Sequence, residues 1–204
     1  MPLYIMSSKK NPTRTRILNA TWSLLDSEGG SRVRMSDIAK AAGISRQALY
    51  LHFPNRADLL IATTRHIDEV KKIDDRLAAS RTAQTGRARL SAFVEAWGNY
   101  IPEIYGVAKA LIALGPGDEE ARTAWQNRLN AVRHGCAAAV AMLARDGDLV
   151  AHLDEARATD LLATLLSVPV WEDLRHAHGW GQADYIAEIH RLSSAALIRP
   201  DAVS

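Results

Sequence analysis

The 204-residue sequence predicts an all-α protein: an N-terminal three-helix unit containing a helix-turn-helix, joined by a long fourth helix to a helical bundle. Apolar residues recur at helical spacing along nearly the whole chain. No stretch shows sustained two-residue alternation bounded by hairpin turns. Breakers fall between the periodic segments, at Gly86, Pro102, Gly115-Pro116-Gly117, Gly147 and Gly179-Trp180-Gly181.

Taken in order, Asn11 followed by Pro12 reads as a helix start, a side-chain cap and then a proline where a missing N–H costs nothing. Ile17, Leu18, Ala20, Leu24 and Leu25 form the buried stripe of that helix, and Gly29-Gly30 ends it. Two short helices are expected over residues 35–42 and 46–52. Gly43 suits the left-handed residue that ends the first of them, and Ser45 the cap of the second. Pro54 stops the third helix, and Asn55 with Asp58 resembles a capping arrangement for the fourth. From residue 56 to 80 there is no Pro or Gly, which predicts one helix roughly 37 Å long. Further helices are expected over 87–101, 102–114, 118–145, 154–176 and 182–198.

Charge is unevenly placed. Residues 1–60 carry nine Lys and Arg against four Asp and Glu, a net +5, while the rest carries sixteen against nineteen, a net −3. A basic first third points to a polyanionic partner for that end of the molecule. The single cysteine, Cys136, has no second cysteine for a disulfide or a thiolate metal site. The seven histidines fall at scattered spacings, so neither a metal nor a cofactor is expected. Residues 1–6 are too short for a signal segment, and no run approaches the roughly 18 apolar residues of a membrane span, so a cytoplasmic protein with no membrane partner is expected. No nucleotide loop, zinc-protease motif or nucleophile elbow appears, and no enzyme is expected.

The stretch MSDIAKAAGISRQALYLHF, residues 35–53, carries the chemistry. Ile38, Ala39, Ala42, Ile44, Ala48 and Leu49 can pack two short helices together across a tight turn. That is helix-turn-helix geometry, whose second helix enters the DNA major groove by its N-terminal residues. Ser45, Arg46, Gln47 and Tyr50 are then left facing outward. Arg can bond guanine and Gln adenine in bidentate fashion, while hydroxyls reach phosphates or base edges.

The segment from Arg14 to Leu60 resembles the DNA-binding domain of the tetracycline-repressor (TetR) family of bacterial one-component regulators. The matching residues are Ile17-Leu18 with Ala20 and Leu24, Asp37-Ile38-Ala39, Ala42-Gly43-Ile44-Ser45, and Leu49-Tyr50-Leu51-His52-Phe53. The resemblance implies a helix-turn-helix over residues 34–53 within a DNA-binding domain spanning about 10–70. It implies that Ser45, Arg46 and Gln47 approach base edges and nearby phosphates, that Tyr50 and His52 bond phosphates, and that Phe53 packs the third helix on the first. Arg56 would add charge at the start of the fourth helix, where a helix end favours an anion. Arg34 departs from the family pattern of Ser or Thr: its side chain can contact phosphate but cannot accept a capping hydrogen bond. Lys9, Lys10, Arg14 and Arg16 form a basic arm.

For residues 71–204 the resemblance implies a bundle that binds a small effector and forms a homodimer through its last two long helices. Trp97, Tyr100, Tyr105, Trp125 and Met142 are nominated for a largely apolar effector pocket, since such pockets are mostly aromatic and apolar. The expected function is a ligand-responsive transcriptional repressor of a pseudopalindromic double-stranded DNA operator. The rival is an all-helical interaction or enzyme module whose helix-turn-helix is not used on DNA.

Overall fold

The computed structural model describes residues 11–27 and 33–200. Lys9, Lys10 and the Gly29-Gly30 helix stop lie outside them. Among the described residues the only strand-like pairing is a single antiparallel bridge, Leu149 to Ile198. Twelve α-helices follow one another within the described residues: α1 Pro12–Ser27, α2 Met35–Ala41, α3 Arg46–His52, α4 Arg56–Val70, α5 Ile73–Arg76, α6 Ala78–Thr82, α7 Gly86–Gly98, α8 Ile101–Leu114, α9 Glu119–Arg145, α10 Glu155–Leu165, α11 Val168–Glu172 and α12 Gln182–Leu197. A 3₁₀ turn over Gly115–Gly117 and a π turn over Asp173–Ala177 complete the order.

The expected caps are formed. Asn11 Oδ1 accepts from Thr13 N–H at 3.1 Å, Ser45 Oγ from Ala48 N–H at 3.0 Å, and Asn55 Oδ1 from Asp58 N–H at 2.8 Å. Gly43 takes φ 65°, the left-handed conformation that spares only glycine the steric cost. Ile17, Ile38, Leu49, Leu59 and Leu60 are fully buried where the first four helices meet. Arg16 Nε donates to the carbonyl of Ala42 at 2.8 Å, tying α1 to the turn between α2 and α3.

The fourth helix is shorter than the uninterrupted residues 56–80 suggest. It stops at Val70, and Lys72 adopts φ 54° before α5 and α6 turn away. Arg76 Nε donates to the carbonyl of Lys71, while Lys71 Nζ and Arg76 Nη2 converge on Glu103 at 3.1 and 2.5 Å. Tertiary ion pairs onto α8 therefore bend a segment that helix propensity alone would have kept straight. A second correction falls on residues 154–176. Leu166 and Ser167 interrupt that helix because Pro169 cannot continue it, and Ser167 Oγ caps α11 instead.

α9 is the axis of the bundle, with 27 residues. At the helical rise per residue it is roughly 40 Å long. α4, α7, α8 and α10 all pack along it, α7 also meets α6 and α12, and α1 packs on α4 and α8. The three-helix unit is thus attached to the bundle by α1 and by α4.

Candidate nucleic-acid interface and effector cavity

Burial of Leu49 and Phe53 decides which side of α3 faces outward. Ser45, Arg46, Gln47 and Tyr50 are all exposed, and Arg46 Nη2 lies 3.4 Å from the Tyr50 hydroxyl with its guanidinium over the ring at 5.6 Å. The hydrogen bond to Tyr50 raises the Arg46 pKa above its ordinary value. Leu51 joins this face, which the sequence reading does not indicate. It is 85% exposed. It stands one helical turn from Gln47, where an apolar side chain can meet a thymine methyl. In the sequence its apolar character reads as core.

Arg34 precedes α2 and is exposed, and its backbone N–H donates to Asp37 Oδ2 at 3.2 Å. Only this reciprocal half of a capping box exists. A guanidinium has no lone pair to supply the other half. His52 is half-buried in a cleft of about 440 Å³ between α1 and α4, beside Arg14, Arg65 and Asp58. Arg14 stacks over Phe53 at 4.8 Å.

Arg56 requires a correction. Instead of facing outward it is 8% exposed, with Nε donating to the carbonyl of Val33 at 2.7 Å and Nη1 paired to Asp118 at 2.6 Å. Glu120 accepts from the Arg56 backbone N–H at 3.2 Å. Two carboxylates at the start of α9 thus draw the side chain inward. Burial alone would raise the Asp118 pKa, but the Ala121 N–H and the Arg56 charge outweigh it and hold it below 3.8.

The five nominated effector residues do not meet at one place. Trp97 and Trp125 both border a space of about 410 Å³ between α9 and α10–α11, and Trp97 also borders one of about 450 Å³ between α5–α6, α7 and α9. Tyr100 is fully buried behind Trp97, its hydroxyl donating to Asp68 at 2.6 Å; burial foremost, then that carboxylate, raises its pKa. Asp68 also receives Arg128 Nη1, and Arg128 lies over Trp97 at 5.6 Å. Tyr105 and Met142 are elsewhere. Tyr105 packs on Trp171 and His176 and donates to Glu172 at 2.6 Å, while Met142 lies along α9 behind Gly86, the start of α7. Aromatic content could not separate these sites, because core and cavity use the same residue types.

Arg89 and Arg128, which line the 450 Å³ cavity, escape sequence reasoning. Each looks like an ordinary surface charge on a helix until α7 and α9 are packed. Cys136 is fully buried, and burial pushes its thiol up to about 12. That rules it out as a nucleophile at neutral pH. No group of three or more potential metal ligands occurs among the described residues. No helix among them is long and apolar enough to cross a membrane.

An exposed, capped third helix held by two others, on an all-helical bundle with open clefts, is the helix-turn-helix architecture joined to a C-terminal helical domain. Residues 17–63 match the family described as bacterial regulatory proteins, tetR family. That match is confined to the helix-turn-helix unit and the first half of α4, and beyond it the likeness to TetR-family regulators is one of fold. It is 42% identical over 64 residues to the nucleoid occlusion factor SlmA of Marinomonas sp. (strain MWYL1), a match covering 31% of this chain and 32% of that relative. The chain therefore spans about a third of the curated relative it matches. Over nearly the full length, a TetR transcription regulator from Haloarcula marismortui superposes with TM-score 0.67 at 16% identity, covering 92% of this chain and 98% of that one. A protein from Saccharomonospora viridis, described as a transcriptional regulator and crystallised with choline, superposes with TM-score 0.70 at 21% identity, covering 92% and 98%. At these identities the likeness is one of fold.

Proposed function

We propose that the chain is a ligand-responsive transcriptional repressor that binds a pseudopalindromic DNA operator as a homodimer and is released by a small-molecule effector. Residues 10–70 would be the DNA-binding domain and 71–204 the effector and dimerisation domain. The observation that carries this reading is the outward face of α3, where Ser45, Arg46, Gln47 and Tyr50 are presented together on a buried scaffold. Arg46 and Gln47 supply the side chains that read guanine and adenine, Tyr50 and Arg34 supply phosphate contacts, and His52 reaches a phosphate from the rim of the α1–α4 cleft. Arg56 acts inside the protein, linking this unit to α9.

Two copies paired through α10 and α12 would place their third helices in successive major grooves, about 34 to 36 Å apart or a multiple of one turn. α10 and α12 pack on each other, and Leu161 of α10 remains 37% exposed, which supports a face awaiting a second copy. The Saccharomonospora viridis neighbour was crystallised with choline, which supports small-molecule binding within this fold. A 100-fold loss of operator affinity requires about 2.7 kcal/mol of coupling, inside the usual allosteric range.

Fluorescence anisotropy with promoter DNA flanking the chain's own gene tests the reading. Sequence-selective binding that falls steeply with salt is expected. Binding equal to that of scrambled DNA, or none at about 50 mM salt, a condition that favours phosphate contacts, would overturn it.

A further inference from the structure

The 450 Å³ cavity between α5–α6, α7 and α9 has an unbalanced charge. Arg89 lines it, half-buried, with Nε shielded from solvent and without a hydrogen-bond partner. None of the ion pairs among the described residues includes it. Of the other charged groups on the wall, Arg128 keeps a buried Nε without a partner but is paired through Nη1, and His134 stands exposed at the rim. Asp68 accepts from the Tyr100 hydroxyl through one oxygen and from Arg128 through the other, and Asp74 is paired with Arg81 at 2.7 Å. Ser80 is occupied as well, donating to the Arg89 carbonyl at 3.1 Å. The rest of the wall is largely apolar, formed by Ile73, Leu77, Phe93, Trp97 and Val132.

We propose that this cavity is the effector site and that it takes a small organic monoanion, a carboxylate on an apolar or aromatic body, with Arg89 as the charge partner. A guanidinium nitrogen shielded from water without a partner is costly, and a carboxylate supplies its missing hydrogen bond while pairing with the charge in bidentate geometry. A cation would have to displace Tyr100 and Arg128 from Asp68 to find a buried carboxylate here, since Asp74, paired with Arg81 through one oxygen, stands out in solvent. A neutral apolar ligand would leave Arg89 Nε unsatisfied. The volume lies within the range of small-molecule sites. Gly135 sets the shape: a Cβ there would stand 2.5 Å from Phe93 Cε2, so only glycine lets that ring lie back against α9 and keeps the cavity open.

Regulation through this site rests on the proposed function; anion binding does not. Asp68 belongs to the last turns of α4, whose first residue, Arg56, anchors the DNA-binding unit to α9. An occupant seated against Asp68, Ile73 and Leu77 bears directly on that helix.

Isothermal titration of the full chain with octanoate, 4-phenylbutyrate and 1-naphthoate, each against its primary amide, tests the site. At least one acid should bind ten times or more tightly than its amide, about 1.4 kcal/mol. Arg89→Gln should abolish that ratio by weakening the acid alone. Arg81→Gln, on the same wall but paired with Asp74, should leave it intact. The proposal is overturned by equal affinity for acid and amide, by a preference that survives Arg89→Gln, or by no acid binding more tightly than about 1 mM. Gly135→Ala guards against an Arg89 variant that does not fold, since driving Phe93 into the cavity should cost the acid tenfold or more; unchanged affinity would also refute the location. Operator binding is followed in parallel. Loss of acid binding with intact operator binding refutes this site alone, whereas acid binding without any operator binding refutes the regulator reading alone.

Discussion

Arg46 and Tyr50 are neighbours on α3, yet the two side chains are assigned different work. The guanidinium can read a guanine edge, which discriminates by about 1 to 3 kcal/mol, whereas the phenol hydroxyl can hold a phosphate without reading sequence. Arg46→Ala is therefore expected to relax preference at one operator position, while Tyr50→Phe weakens binding to every sequence alike. Affinities measured on operators changed one base pair at a time check this; a uniform loss in both variants would refute the division of labour. The 3.4 Å contact between the two side chains adds a coupling, because removing Arg46 also frees the Tyr50 ring it lies over.

Between elements, the contact that matters most is Arg56 with Asp118 and Glu120, which ties the first residue of α4 to the start of α9. The folded Asp118 pKa lies below 3.8. Its stabilising contribution is therefore complete above that value and is lost as pH falls through the lower folded one. Asp118→Asn should cost about 1 to 3 kcal/mol at neutral pH, since it leaves a buried guanidinium short of a charged partner. Urea unfolding of both proteins at several pH values provides the check. The gap between them should shrink under acid, and a gap that stays constant from about pH 6 to pH 3 would disprove the assigned linkage. The bend at Lys72 belongs to this scale too, for it lets α5 and α6 wall the cavity instead of extending α4 into solvent.

At the scale of the whole molecule, the proposed operator recognition requires two copies held at a fixed separation. α10 and α12 are the helices proposed to join them, with Leu161 on the outward side of α10. Leu161→Glu would place a charge in that interface without touching the buried core. Light scattering should show the wild-type chain as a dimer and the variant shifted toward monomer at micromolar concentration, with its helical circular dichroism retained. A wild-type monomer, or a variant dimer of undiminished stability, would count against the α10–α12 interface. Operator affinity should fall with the dimer, because a monomer reaches one half-site only.

Much of the architecture was legible along the chain. Helical periodicity, the caps at Asn11, Ser45 and Asn55, and the positive φ required of Gly43 are local properties, set by a residue and its neighbours within one turn, and all are formed as read. The outward strip of α3 was legible for the same reason, since burying Leu49 leaves Ser45, Arg46, Gln47 and Tyr50 no other direction. The inward turn of Arg56 was not, because Asp118 lies 62 residues further along the chain and nothing near Arg56 announces it. The same holds for the bend at Lys72, the dispersal of Tyr105 and Met142 from Trp97, and the cavity around Arg89. Each depends on which charges and rings the packing of distant helices brings within a few ångströms, and a pattern confined to one helix carries no record of that.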